Sequence, residues 1–393
     1  MKRMSEIELK GKRVFIRADL NVPLDEHRKI ADDTRIRAAL ETVKLALKNG
    51  ASVILASHLG RPKGEHDDSF SLAPVAKRIG ELLGQEVALA PDCVGEETAA
   101  MAKALKPGQV LLLENLRFNS GETSNDQTFA KQLAALADCY INDAFGTAHR
   151  AHASTAGIVN FIDSAAAGLL LENELDFFAK AFENPKRPLA AIFGGAKIST
   201  KLAAIKNTAA KADKILIGGA MANTFFAADG LNIGSSLYEP ELLDTAREVR
   251  EFVKTNDCEL LLPTDVIVGS EFSAKAETRV VNVDSIPDGW MALDIGPRTI
   301  TAFVEALGSC STIIWNGPMG AFEMKPFSNG TYAIVDALAA SEGLTVVGGG
   351  DTDLALHERH AVEKMGYVST GGGAFLKLLE GSSLPAVEAL NAK

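Results

Sequence analysis

The chain is poor in cysteine. Its four cysteines in 393 residues (Cys93, Cys139, Cys258, Cys310) stand far apart. There is no C-x-x-C pair and no histidine at metal-ligand spacing, which excludes a disulfide scaffold and a zinc site and leaves reduced thiols with no role assigned. No apolar run reaches the length that a membrane-crossing helix needs. The opening MKRMSEIELKGKR lacks the apolar stretch and cleavage site of a signal peptide, so a cytoplasmic protein without membrane partners is expected. Runs of Lys and Arg are absent too, and a formal net charge of −11 argues against a nucleic-acid surface. Neither standard phosphate fingerprint occurs. There is no G-x-x-x-x-G-K-[ST], and no G-x-G-x-x-G with a downstream acid, which counts against a dinucleotide dehydrogenase. No repeat and no low-complexity segment is visible.

What is present is enough apolar residue, 47% over 393 positions, for two domains of ordinary size. The charge is unevenly placed. Residues 1–170 hold 21 Lys+Arg against 22 Asp+Glu, a net −1, and residues 171–393 hold 19 against 29, a net −10. In the first half apolar runs end in cations: VFIRADLN (14–21), VILASHLGRP (53–62) and VLLLENLRF (110–118) lead into Arg17, His58, Arg61 and Arg117. In the second half AAIFGGAK (190–197), KILIGGA (214–220), TIIWNGPMG (312–320) and LTVVGGGDT (344–352) end in glycines. Guanidinium forks bind anions in one way and backbone N–H groups on side-chain-free loops in another. Two anions are expected, one for each half.

Short apolar runs alternate with helical-period stretches, the pattern of βα units around mostly parallel sheets. The first half predicts strands near 13–18, 52–57, 87–90, 110–114 and 139–142, with helices near 33–49, 71–84, 95–105 and 125–137. The second predicts strands near 189–193, 214–217, 259–262, 278–283, 312–315 and 344–347. Its helices fall near 198–211, 220–229, 239–256, 297–307, 328–341 and 373–380. The fold class expected is α/β, with two doubly wound Rossmann-like domains. Residues 169–188 form a connecting helix stopped by two prolines, the place for a domain boundary and a hinge. In such sheets ligands bind outside the carboxyl ends of the strands, where these motifs lie.

Each motif also has a bland reading. Asp19 in RADLNVP could merely cap a turn, and a lone arginine is normally a solvated charge. Arg35, His58, Arg61, Arg117 and Arg150 together, in a half of almost no net charge, suit a small ligand carrying phosphate and carboxylate. Asp19 and Asn21 would address its hydroxyls. A hydrogen-bonding role suits His58 better than that of a general base, and suits His149 and His152 better than metal ligation. In GGAKISTK (194–201), Lys197 and Lys201 stand four apart, on one face of an opening helix. Asp351 and Thr352 in GGGDTDLA suit a helix cap, or a carboxylate beside a phosphate cradle where Mg²⁺ is commonly held. STGGGAFLKLLE (369–380) feeds a second helix N-terminus.

Taken together RADLNVP, SHLGRP, ENLRF, GGAKISTK, WNGPMGAFE and GGGDT, in this order along nearly the whole chain, resemble phosphoglycerate kinase. The resemblance implies a bilobal hinge enzyme with domains at 1–172 and 173–375, and a tail, 376–393, returning to the first domain. It implies 3-phosphoglycerate or 1,3-bisphosphoglycerate on Asp19, Leu20, Asn21, Arg35, His58, Leu59, Gly60, Arg61, Arg117 and Arg150. Around Mg-ADP or Mg-ATP it implies Lys197, Lys201, Gly219, Asn316, Pro318, Glu323, Gly349, Gly350, Asp351 and Thr352, with Asp351 towards Mg²⁺ and Glu323 towards the ribose. Arg35, Lys197, Lys201 and the Gly371, Gly372 and Gly373 helix terminus would act on the transferred group. Small molecules are the partners expected, and the molecule is expected to be a monomer. A binding protein that had lost the activity would lack Arg35, Lys201 or Asp351, and all three are present.

Overall fold

Runs such as VFIRA and SVILA are buried on both sides, so their backbones need neighbours in a sheet and their side chains need helices on both faces. The computed structural model describes residues 1–393. Two compact units divide the chain, Met1–Leu175 with Ser383–Lys393, and Asp176–Ser382.

In the first unit the order is β1 Arg13–Ala18, α1 Thr34–Lys48, β2 Ser52–Ala56, α2 Ala73–Leu83 and β3 Val87–Leu89. Then come α3 Glu96–Ala104, β4 Val110–Leu112, α4 Gln127–Ala134, β5 Cys139–Asp143 and β6 Ala165–Ala167. All six strands are parallel, in the order β3-β4-β2-β1-β5-β6. Helix α1 buries Ile36, Ala39, Leu40, Val43 and Ala46, three and four residues apart, against this sheet. Helix α5, Leu169–Phe178, runs into a π-helical turn at Ala179–Glu183 before the prolines, so the connector is shorter than the 169–188 helix expected.

The second unit continues with β7 Leu189–Phe193, α6 Leu202–Ala209, β8 Lys214–Ile217, α7 Met221–Ala228, α8 Leu243–Thr255 and β9 Glu259–Leu261. After β10 Asp265–Gly269, β11 Thr278–Asn282 and β12 Met291–Ile295 come α9 Pro297–Gly308, β13 Thr312–Asn316 and α10 Asn329–Ala339. The unit closes with β14 Leu344–Gly348, α11 Gly350–Glu358, β15 Tyr367–Val368 and α12 Gly372–Leu379. Its main sheet is again six-stranded and parallel, in the order β15-β14-β13-β7-β8-β9. Helix α13, Pro385–Asn391, belongs to the first unit and donates from the Ala386 amide to Ala148 O at 3.2 Å.

The strand expected at 278–283 exists as β11, but it lies in a separate three-stranded antiparallel sheet, β11-β10-β12. Strands β6, β10, β12 and β15 and helix α13 were not expected. Strand β6 is three alanines and β12 reads MALDI, both rich in good helix formers, and tertiary pairing overrides that local preference. The division falls at Leu175/Asp176, inside α5, and the returning tail starts at Ser383, seven residues later than expected.

The strand order reverses between β1 and β5 in one sheet and between β7 and β13 in the other. Crevices open at such switch points, beyond the carboxyl ends of the strands.

Candidate active site

Loops after β1, β2, β4 and β5 meet at the switch point of the first sheet. The Asn21 side chain accepts from the Gly60 amide at 2.8 Å, and Arg35 donates to Asn21 O at 3.0 Å while lying 3.5 Å from Asp19. Arg117 donates to Gly60 O at 2.7 Å, tying the loop after β4 to the loop after β2. Gly60 has φ +61, and a Cβ there would sit 2.3 Å from the Phe70 ring, so this turn requires glycine. Leu20 and Leu59 are buried and take part through their backbones: the Leu20 amide donates to Ser57 Oγ at 2.8 Å, and the Leu59 amide and carbonyl both bond the Asn115 side chain.

Arg61 and Arg150 are exposed beside this frame, and both lie close enough to Arg117 for mutual repulsion. Arg117 is mostly buried and its Nε has no protein partner. Burial first, then the positive charges of Arg17 and Arg117, hold His58 well below the usual histidine range, so it is neutral at pH 7. Four cations, Arg35, Arg61, Arg117 and Arg150, and the unpaired Arg117 Nε suit an anionic ligand.

Arg17 departs from the expectation. It is fully buried, with its Nε donating to Ser154 Oγ at 2.8 Å, another nitrogen to Ala18 O, and Nη2 3.4 Å from His58 Nδ1. It supports His58 rather than facing a ligand. His152 likewise turns inward, 3.6 Å from the buried Glu122, which also accepts from Ser154 Oγ at 2.6 Å.

In the second unit the loops after β7, β8, β13 and β14 interlock through their backbones. The Gly195 amide donates to Pro318 O at 2.9 Å, the Gly219 amide to Met319 O at 2.8 Å, and the Met221 amide to Gly195 O at 3.0 Å. Gly317 has φ +96, and a Cβ on it would lie 2.4 Å from Gly194 O and 2.5 Å from Lys201 Nζ. Asn316 accepts from Lys201 Nζ, at 2.8 Å through its carbonyl, and donates its side-chain amide to Gly348 O at 2.8 Å. Thr352 Oγ1 accepts from the Gly317 amide at 3.3 Å. Gly349 caps α11 and Gly371 caps α12, and a Cβ on Gly372 would touch Gly349 Cα at 3.1 Å. Two helix N-termini therefore adjoin, a favourable place for phosphate.

Lys201 is the one expected cation brought against this frame. Burial pushes it down to about 8, against the opposing pull of Asp351. Lys197 is exposed and does not share a helical face with Lys201, because 197–201 is a turn and α6 starts only at Leu202. A cleft of about 480 Å³ adjoins the frame, lined by Gly219, Pro318, Glu323 and Asp351 among others. Leu237, Phe272, Met291 and Leu293 supply an apolar wall that suits a flat ring system. Sequence reasoning missed these four, which come from β12 and two irregular loops without a motif.

Fold and site define a class: an α/β protein of two units, each with a frame of polar loops at the switch point of its parallel sheet. Known proteins narrow this to a family. The model of the phosphoglycerate kinase family matches residues 4–382. A phosphoglycerate kinase of Geobacter metallireducens is 55% identical over 388 residues, covering 98% of both chains. A cytosolic one of Triticum aestivum is 53% identical over 391 residues, covering 99% of this chain and 97% of that one. The structure of phosphoglycerate kinase from Coxiella burnetii superposes with a TM-score of 0.90 at 44% identity, covering 99% of this chain and 98% of that chain. That from Pyrococcus horikoshii gives 0.85 at 31%, covering 100% and 98%. The chain belongs to the phosphoglycerate kinase family. The family's reaction is reversible phosphoryl transfer between 1,3-bisphosphoglycerate and ADP, giving 3-phosphoglycerate and ATP in glycolysis.

Proposed function

We propose that the two frames divide this reaction's substrates, the glycerate ligand on the first unit and the nucleotide on the second. The contrast in construction carries the reading. Asp19, Asn21, Arg35, His58, Arg61, Arg117 and Arg150 offer forked cations and hydroxyl partners to a small phosphorylated acid, with backbone from Leu20, Leu59 and Gly60. Gly219, Asn316, Pro318, Glu323, Gly349, Gly350, Asp351, Thr352 and Lys201 offer backbone groups and one half-buried cation to a nucleotide, beside the apolar wall. Glu323, exposed at the rim, suits ribose hydroxyls.

Asp351 is exposed in the first turn of α11. Beside a phosphate cradle, one carboxylate fits Mg²⁺, an ion that takes phosphate oxygens and water for its other ligands. When bound it would neutralise phosphate charge.

In the ATP-consuming direction the nucleophile is a carboxylate, ionised at pH 7 because its pKa is about 3.5, so this chain need supply no general base. Its residues have to position the reactants and offset negative charge. Arg35, Lys197, Lys201 and the Gly371–Gly373 helix terminus are assigned to the transferred group. Each substrate sits on its own unit, so transfer requires a hinged closure that also excludes the water able to hydrolyse an acyl phosphate. No helix is long and apolar enough to cross a membrane, and the relative named cytosolic supports a cytoplasmic enzyme.

A coupled assay of ATP-dependent 3-phosphoglycerate phosphorylation tests the assignment. Arg35→Ala and Lys201→Met should each lower kcat by about 10²–10³ with small changes in KM, the usual cost of a donor that acts on the transition state. A defect confined to KM would refute these roles.

A further inference from the structure

The turn that carries Lys197 and Lys201 is anchored from outside the phosphate frame. Between the two lysines lies Ser199. Its amide donates to Glu239 Oε2 at 3.0 Å and its hydroxyl to Glu239 Oε1 at 2.5 Å, so one carboxylate holds both donors. Glu239 is 8% exposed and has no cationic partner in the structure, so these charge-assisted bonds account for its burial. Inside the turn, Thr200 Oγ1 donates to Lys197 O at 2.9 Å and the Lys201 amide to Ile198 O at 2.9 Å. Fixing Ser199 therefore fixes where the lysine stems start.

Glu239 is held in its turn by α7. Its amide donates to Thr224 Oγ1 at 3.2 Å, and Asn223 donates to Leu237 O at 3.0 Å. Leu237 and Ser235 line the cleft assigned to the nucleotide. One short segment, 235–239, thus forms part of the cleft wall at one end and grips the lysine turn at the other.

We infer that Glu239 is a positioning residue that, through Ser199, couples the nucleotide wall to the placement of the phosphate lysines. This rests on the reading of the cleft as the nucleotide site and of Lys201 as a cation on the transferred group. A long flexible lysine gains most from a fixed stem in phosphoryl transfer, where geometry dominates the barrier. The clasp should consequently act on kcat and on the nucleotide, leaving the other substrate alone.

The test uses the full-length enzyme and steady-state kinetics with both substrates. Glu239→Gln and Ser199→Ala should lower kcat about tenfold and raise KM for Mg-ATP a few-fold, as expected for one lost charge-assisted bond that positions a reacting group. KM for 3-phosphoglycerate should stay within about twofold, and Ser199→Thr, which keeps the hydroxyl, should recover most of the loss. The effects of Ser199→Ala and Glu239→Gln should not add in the double variant. Lys201→Met, measured in parallel, separates the two ideas. If its kcat falls by the expected factor of about 10²–10³ while the clasp variants keep wild-type kcat, the inference fails and the site reading stands; if its kcat stays near wild type, the site reading itself fails. Should Glu239→Gln not fold, as judged by its melting transition, Ser199→Ala against Ser199→Thr decides alone. Equal loss with both substrates, or equal activity of the alanine and threonine variants, would overturn the proposal.

Discussion

In the proposed division of substrates the two units meet the same requirement, holding a polyanion, with different chemistry. The first uses side chains: Arg35, Arg61, Arg117 and Arg150 stand around a neutral His58. The second uses backbone: glycine turns interlock so closely that Gly194, Gly219 and Gly317 have no room for a Cβ, and Lys201 is the partly buried cation set against them. Charge follows the same division, near zero in residues 1–170 and strongly negative beyond. An acidic unit can hold phosphate because helix termini and N–H groups act at contact range, where distant carboxylates are screened. The two constructions should therefore fail differently, one by loss of charge and the other by loss of space.

On nucleotide affinity the largest effect should come from space. Gly317→Ala places a methyl within 2.5 Å of both Gly194 O and Lys201 Nζ at a φ of +96. Strain of about 1–3 kcal/mol plus displacement of Lys201 should raise KM for the nucleotide at least about tenfold. Gly350→Ala, with nothing within 4 Å of its added Cβ, should stay near wild type although it lies in the same cradle. Similar kinetics for the two variants would erase the distinction between a backbone-built site and a merely flexible one.

A smaller effect concerns protons. Lys201 is pushed down to about 8 by burial, so much of it is neutral at pH 8.5 in the free enzyme. A bound polyphosphate favours the ammonium, so nucleotide binding at that pH should take up a fraction of a proton, and affinity should fall as pH rises above about 8. Calorimetry in buffers of different ionisation enthalpy measures the uptake. Lys201→Arg, always charged, should abolish it.

The smallest effect lies in the first unit. His58 has a folded-state pKa below its ordinary 6.5, so its contribution to stability is present above that value and is lost as pH falls. The stability difference between wild type and His58→Gln, from urea unfolding at pH 7.5 and 5.5, should therefore shift in favour of the variant at the lower pH. A constant difference would mean that His58 is not desolvated as described.

How much of this was legible beforehand follows the same division. Short apolar runs ending in Arg, His or Gly-Gly announced both parallel sheets and the strand-end residues that gather beyond them, because in this architecture ligands bind outside the carboxyl ends of strands. Arg17 was misread because a strand-end arginine looks alike in sequence whether it faces a ligand or, as here, Ser154 and His58. Lys197 and Lys201 were placed on one helical face because GGAKISTK shows no sign that the turn persists to Leu202. Apart from β11, the antiparallel sheet and the apolar wall of Leu237, Phe272, Met291 and Leu293 left no local signal, since tertiary packing assembles them.

The central claim, one anion on each unit, is tested most directly by titrating two variants with two ligands by calorimetry. Arg117→Ala should weaken 3-phosphoglycerate binding while leaving Mg-ADP nearly intact, and Asp351→Asn should do the reverse. That crossed pattern is the result predicted. If each substitution weakened both ligands equally, the two frames would be a single site, and the division of substrates between the units would be wrong.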